Sequence, residues 1–448
     1  MKRLYEPETY RAECPSYWQA TLSDAQSDGP IESDRTVECA IIGAGFAGLN
    51  AALELTETHA LEPIVLEAER VGWGASGRNG GFCCWGGSKL SHESQIERFG
   101  LEETRRFFSM QRAAIETVSA NLAAYGIDAD VHSNGEVELA HRPDKMDELR
   151  SEQAFLKETF GFQSQIIEAE ALKDHGFKSP AFHGAHWLPD GFALHPLKYV
   201  RGLARACREK GVTISEQTPA MAIERQGSAY RIVTPGAVIT AKRLLIATNG
   251  YSSEDIPAWL GGKLLPALSN ILVTRPLAPE ELAAQGWSSH QMCFDSRRLL
   301  HYFRLMPGID TEGPRMLFGM RGGVSGTQAS EAAMNRHLRA NFDSFFPAWS
   351  SVESDYFWSG LVCLTRDLTC YLGPVGDWEN AYAALAWHGN GVSMASYAGR
   401  LAAGLIAGTK DQSALPALIR TQPRQFPLPP LRRTYLRAAY SLFGMLDR

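Results

Sequence analysis

The 448-residue sequence lacks any long hydrophobic run. A membrane-spanning helix needs ~18 or more consecutive apolar residues, and the opening MKRLYEPETY is basic with no apolar segment behind it. These absences argue against a helical membrane protein and lead to an expected cytoplasmic location. Positive charge is also short: 44 Lys and Arg stand against 50 Asp and Glu, a net charge of −6. Nucleic-acid affinity rests on clustered cations against phosphates, so no nucleic-acid partner is expected. The eight cysteines, at 14, 39, 83, 84, 207, 293, 363 and 370, show no repeated C-x2-C spacing. Neither a zinc site nor a disulfide framework is therefore expected, and no metal. Internal repeats are missing, and low complexity is confined to QFPLPP near residue 425. What remains, 44% hydrophobic and 21% charged residues, fits a globular chain of two or three domains, with no signal for an oligomeric state.

The sharpest positive signal is VECAIIGAGFAGLNAALELTETH at 37–59. Val37 to Ile42 is an apolar run suited to a strand buried on both faces. Gly43-Ala44-Gly45-Phe46-Ala47-Gly48 follows, then an Ala/Leu-rich helical run. In such a turn Gly43 allows the sharp bend, Gly45 lets backbone approach a pyrophosphate, and Gly48 lets helix pack closely on strand. The free N–H groups and positive end of that helix then face phosphate. Ile64-Val65-Leu66-Glu67 supplies a second strand ending in a carboxylate, placed to bind ribose hydroxyls, with Ala68 next. Glu67 also argues against a 2′-phosphate, hence against NADP.

Directly after Glu67 the chain enters VGWGASGRNGGFCCWGGSKL at 71–90. No second GxGxxG unit follows that would hold another dinucleotide. This order resembles the FAD-dependent oxidoreductases of the D-amino-acid oxidase type, which include glycine oxidase and monomeric sarcosine oxidase. The γ-glutamylputrescine oxidase subgroup carries LEA-x2-VGWGASGRNGG, matched from Leu66 to Gly81. The resemblance extends from about residue 36 to 410. LHPLKY at 194–199, LIATNGY at 245–251, YFRL at 302–305 with RMLFG at 315–319, TRD at 365–367, GP at 373–374 and GNGV at 389–392 fit successive family segments.

The resemblance implies an α/β fold: a Rossmann-like FAD-binding domain interleaved with an α+β substrate domain whose sheet is largely antiparallel. Alternating strand and helix patterns at 37–70 and 195–250 agree with the first part, and longer strand patterns with Gly/Pro turns at 260–325 with the second. Helical spacing covers 101–126 and 143–160. The expected FAD-binding domain comprises 1–89, 186–259 and 360–448; the substrate domain comprises 90–185 and 260–359.

The implied cofactor is FAD, held without a covalent link, since Cys363 and Cys370 both miss the spacing at which some relatives tether flavin. The implied cofactor set adds Trp73, Gly74, Ala75, Ser76, Arg78, Asn79, Gly80 and Gly81 from the loop. It also takes Ala220, then Thr248, Asn249 and Gly250, and finally Gly389, Gly391 and Val392 at a glycine turn before a helix. Arg78 reads either as the cation facing pyrophosphate or flavin, or as a solvated loop arginine. The implied reaction oxidises a C–N bond of a small amine or amino acid by hydride transfer to flavin N5, giving an imine that hydrolyses.

Four residues are expected to carry the chemistry: Tyr302, Arg304, His388 and Asn390. Tyr302 is expected as a wall of the substrate cavity, while His301, pointing the other way along the strand, is expected to be structural or exposed. Arg304 reads either as a clamp on a substrate carboxylate or as an ion pair between domains. Asn390 stands where the family has histidine, with His388 two residues earlier. Trp73, Trp85 and Trp387 read as cavity or core residues. Cys83-Cys84 reads as apolar filler or as a redox pair. Oxygen is the expected acceptor, yet the position of the oxygen-activating lysine of monomeric sarcosine oxidase is Leu317 here. A quinone- or carrier-linked dehydrogenase, acting even on a 2-hydroxy acid, and a flavin-binding protein without turnover stay open as alternatives. The C-terminal PLRRTYLRAAYSLFGMLDR reads as a helix packed on the FAD domain or, less in keeping with the composition, laid on a membrane surface.

Overall fold

Strand Arg35–Ile42 runs from an exposed start to a fully buried end, because its apolar residues are collected in the last four positions. It pairs in parallel with Val238–Ile246 on one side and Pro63–Leu66 on the other, with Ile42 opposite both Ile246 and Leu66. Three carboxyl ends therefore finish at one level, the edge at which open parallel sheets bind ligands. The computed structural model that displays this describes residues 1–11, 13–23, 27–308 and 312–447. Across the first eight-stranded sheet the order is Tyr371–Pro374, Ala381–Leu385, Val238–Ile246, Arg35–Ile42, Pro63–Leu66, Thr213–Ser215. An antiparallel ribbon, Ala222–Gln226 and Ala229–Val233, joins Val238–Ile246.

Helix Phe46–Glu57 follows the first strand and packs against helix Gly391–Ile406. The close approach depends on a small residue: a Cβ on Gly399 would lie 2.3 Å from the Ala47 carbonyl oxygen. Leu101–Ala124 covers the same pair. Together these helices and the sheet bury one large apolar core, including Leu49, Leu53, Leu203, Val392 and Leu405.

The second sheet has the order Ser354–Thr365, Leu264–Thr274, Arg315–Arg321, His301–Met306, Met292–Asp295, Glu136–Leu139, Gly184–Leu188, Gln165–Glu168. Every pairing is antiparallel except Met292–Asp295 with Glu136–Leu139. One face rests on an aromatic core built from Trp287, Phe303, Phe318, Phe342, Phe345 and Phe346. The helical spacing at 101–126 and 143–160 corresponds to helices Leu101–Ala124 and Lys145–Phe160.

Two expected boundaries shift. Residues 186 and 360 both fall inside strands of the second sheet, Gly184–Leu188 and Ser354–Thr365, because hydrogen-bonded pairing carries each strand past them. The C-terminal helix Arg432–Leu446 also packs elsewhere than expected: Leu436 is buried with Leu265 and Ala267 of the second sheet. Buried Arg432 anchors it through Glu254 and the Leu264 carbonyl, and Arg433 binds Glu6. Among the described residues, no helix is long and apolar enough to cross a membrane.

Candidate active site

The turn after the first strand is shaped by contacts that only glycine permits. Gly43 has φ +109°, and a Cβ on Gly48 would sit 2.0 Å from the Gly43 carbonyl oxygen. Gly45 caps helix Phe46–Glu57, and the Phe46 N–H donates to Ser76 Oγ at 3.0 Å. Loop 73–81 is thus docked on the helix N-terminus. Asn79 closes the loop on itself, donating to the carbonyls of Ala75 and Ser76 and accepting from the Gly81 N–H. Arg78 is buried, donates from Nε to the Trp73 carbonyl at 2.6 Å, and lies 4.8 Å from the Trp73 ring centre. Among the described residues no carboxylate pairs with it, so its charge is unneutralised. It is not a solvated loop arginine.

Glu67 accepts from the Ala44 N–H at 2.8 Å and the Glu69 N–H at 3.0 Å. Burial pushes its carboxyl up to about 7 against those two donors. A cavity of about 510 Å³ begins here. Gly43, Gly45, Phe46, Ala47, Glu67 and Ala68 line one end. Trp73, Gly74, Ala75, Ser76, Arg78, Asn79 and Gly80 continue the wall, with Ala220, Thr248 and Asn249 opposite. Gly48, Gly81 and Gly250 stand behind it as packing residues; a Cβ on Gly81 would meet the Leu194 carbonyl at 2.0 Å.

The cavity then passes the turn Trp387–Val392, where helix Gly391–Ile406 starts with no side-chain cap. His388, at φ +54° and fully buried, approaches Thr365 Oγ1 through Nε2 at 3.3 Å while its Nδ1 has no partner. Burial and the charges of Lys89 and Arg321 lower it to about 3, so the ring is neutral. Asn390 donates to the Trp85 carbonyl at 2.7 Å and to Cys84 Sγ at 3.3 Å, bracing the turn at 84–86. Tyr302 lines the cavity and presents its ring to Gly80 and its hydroxyl to Ser269 at 2.9 Å.

Arg304 is a correction. It does not reach the cavity: its side chain is 1% exposed and donates to the carbonyls of Gly80 (3.0 Å) and Leu194 (2.8 Å) and to His132 Nε2 (2.9 Å). The fork that suits a carboxylate is spent tying the glycine-rich loop to the Leu194–Pro196 segment. His301 is buried and structural, bound to Asp295 by both its N–H (2.9 Å) and Nδ1 (2.9 Å). Trp73, Trp85 and Trp387 all line the cavity.

Other groups were missed. Leu317 is fully buried in the core, but Arg321, four residues along the same strand, lines the cavity and donates to the His388 carbonyl at 3.2 Å. Lys89 also lines the cavity, where desolvation and the Arg321 charge push its ammonium down to about 7. Beyond them Glu136 and Glu138 line the far end. The i, i+2 pattern of Glu136-Val137-Glu138-Leu139 was the available signal, since it puts both acids on one strand face. Cys84 and Cys363 border the cavity as buried thiols pushed up by burial, which keeps them protonated. Among the described residues no cluster of His, Cys, Asp and Glu is arranged to hold a metal.

Glycine cradle, buried acid, unpaired arginine and uncapped helix end on one cavity fit a flavin dinucleotide. Comparison with known proteins agrees. A family profile described as DAO, FAD dependent oxidoreductase, matches residues 38–405. The chain is 30% identical over 410 residues to a probable oxidoreductase, OrdL, of Haemophilus influenzae, covering 91% of each. It is 28% identical over 399 residues to the gamma-glutamylputrescine oxidoreductase of Escherichia coli, covering 89% of this chain and 90% of that protein. Among solved structures, glycine oxidase from Geobacillus kaustophilus superposes with a TM-score of 0.68 at 20% identity, over 84% of this chain and 95% of the other.

Proposed function

Because the chain belongs to the FAD dependent oxidoreductase family and uses FAD, we propose that it is an oxidase of small amines, with substrates related to those of the γ-glutamylputrescine subgroup. The observation that carries this reading is the single cavity running from the Gly43–Gly48 turn to the start of helix Gly391–Ile406. Its lining runs on from the residues of that turn, past Tyr302 and His388, to Glu136 and Glu138. The 28% identity to a gamma-glutamylputrescine oxidoreductase and the Leu66–Gly81 motif support the substrate class.

FAD, when bound, supplies the two-electron acceptor for the hydride that leaves the carbon next to nitrogen. Glu67 would hold the ribose, and Arg78 with the positive end of helix Phe46–Glu57 would hold the pyrophosphate. The uncapped start of helix Gly391–Ile406 would hold the reduced flavin, its N–H groups and dipole stabilising the negative charge that reduction brings. Tyr302 and Trp387 wall the reacting end. Arg321 and Lys89 make that end electropositive, which disfavours an ammonium there and leaves the reacting amine neutral, as hydride loss requires. Neutral His388 holds the turn in place and moves no proton. The resulting imine takes up water and releases a carbonyl compound and ammonia or a smaller amine.

The holoenzyme is expected to be yellow and non-covalently loaded, releasing FAD on acid denaturation. Anaerobic mixing with a panel of primary and secondary amines is expected to bleach it, and under air the same amines are expected to yield hydrogen peroxide. A colourless protein, or one bleached only by 2-hydroxy acids, sinks the reading. Bleaching without peroxide, together with dye reduction under argon, moves the acceptor from oxygen to a quinone or carrier.

A further inference from the structure

The far chamber has a charge pattern that the amine reading alone does not use. Glu138 lies on the same strand face as Glu136 and opens on the cavity; among the described residues neither carboxylate has a Lys, Arg or His within ion-pair distance. The acids around Glu138 are Glu136, Glu148, Glu152 and Asp295, and Glu152 and Asp295 are already paired with His92 and with His301 and Arg297. The Trp85 N–H and the Cys84 thiol act on Glu136 against its burial, each favouring its ionised form. A second, independent observation points the same way. Gln95, 4% exposed, lines the same cavity and donates through Nε2 to the Leu90 carbonyl at 3.0 Å, which fixes the amide orientation. Its Oε1 is buried with no partner. An orphaned acceptor oxygen and an unpaired carboxylate both lack one thing, a donor carrying positive charge.

The other cationic and imidazole groups on the cavity sort by position: Arg3 and Arg78 act on Glu69, and His92 is paired with Glu152. Arg321 and Lys89 sit by the His388 turn, and His186, bound to Ser164, is lowered to about 4 by burial and therefore neutral. Glu136 senses the Lys89 charge, and among the described residues the two form no ion pair. Aromatic walls of Phe107, Phe108, Phe162 and Trp85 complete the chamber. They exclude water around a cationic group and offer ring faces to it.

We propose that the substrate carries a second cationic nitrogen, an ammonium or guanidinium separated by an aliphatic spacer from the amine that reacts, and that Glu138, with Glu136 and the Gln95 carbonyl, binds it. The inference rests on the amine reading above. The molecule is then polarised end to end. The electropositive end favours the neutral amine that loses hydride, and at the other end the distal cation ionises Glu138 as it binds and sets the register.

The test titrates the anaerobic holoenzyme with 1,6-diaminohexane, hexylamine and 6-aminohexanoate, scored by flavin bleaching and by calorimetric binding. A charge-assisted contact in a closed site should favour the diamine over hexylamine on the order of tenfold or more, with 6-aminohexanoate weakest. Glu138→Gln should collapse that preference to about twofold while leaving hexylamine within about twofold of the parent. An agmatine-type guanidine tells which cation is preferred. Bleaching by hexylamine as readily as by the diamine, or an equal loss for both amines in Glu138→Gln, overturns the inference and leaves amine oxidation standing. Glu138-dependent binding of the diamine with no bleaching by any amine does the reverse. No binding of any of the three overturns both.

Discussion

Arg304 separates a clamp from a brace. Its three donated hydrogen bonds end on two backbone carbonyls and a neutral imidazole, and none ends on space a substrate enters. His132 is lowered to about 3 by burial and by Arg304 itself, which leaves Nε2 as an acceptor and Nδ1–H to donate to the Asp130 carbonyl. Arg304→Met removes the charge and strands the Gly80 and Leu194 carbonyls, at a cost of about 3–5 kcal/mol. Urea unfolding should show the midpoint falling accordingly and FAD retention weakening, while KM for a good amine in the surviving holoenzyme changes less than twofold. A clamp would give the opposite: KM up tenfold or more at unchanged stability. The strand pattern HYFRL separates the face of Tyr302, which lines the cavity, from that of His301, but it carried no information on Arg304. The alternation that aims Tyr302 into the cavity aims the next-but-one residue along the same face, and only the Gly80–Gly81 and Leu194 backbones, distant in sequence, determine what fills that place.

At the scale of elements, the first strand–turn–helix unit is the part most legible from sequence, because its constraints are local and steric. The Cβ that Gly48→Ala adds would stand 2.0 Å from the Gly43 oxygen, so the helix must retreat from the turn. Loss of the yellow colour is expected, with about 1–3 kcal/mol of destabilisation from overpacking. Gly444→Ala is the control. It lies inside helix Arg432–Leu446 with nothing within 4 Å of the added Cβ, and should stabilise by about 0.5–1 kcal/mol in a thermal melt without touching flavin content. The strand Glu136–Leu139 shows why the rest of the site was illegible. Alternating acid and apolar residues describe a solvated sheet face as well as a buried one. What closes this face is the cavity wall made by helices His92–Phe99, Leu101–Ala124 and Lys145–Phe160, a tertiary event with no local signature. The same holds for Arg321: one end of a strand acquires meaning only because His388 is brought to it.

For the whole molecule, buried ionisable groups set opposing pH slopes. Glu138 is raised to about 8 by burial and its acidic neighbours, and Glu136 and Glu67 to about 7 by burial. Each keeps a proton in the folded protein that the unfolded chain releases above about 4.5, so its contribution is fully present below that pH and is lost as pH rises toward 7–8. His388, His132 and His195, lowered to about 3 mainly by burial, act in the other direction: their contribution is present above about 6.5 and lost as pH falls toward 3. Lys89, lowered to about 7, adds a rising slope above neutrality. The curve of the parent protein therefore blends terms of both signs, and the informative quantity is a difference. Glu138→Gln deletes one acidic titration and leaves the others. Its melting temperature relative to the parent should be flat below about pH 4.5 and climb steadily from there to about pH 8, by no more than about 1.4 kcal/mol of stability per pH unit. A saturating diamine should reverse that difference, since it ionises Glu138 in the parent and finds no counter-charge in the variant. A flat difference across the whole range would mean that Glu138 titrates as an ordinary surface carboxylate and is not a buried acid that a cation must ionise.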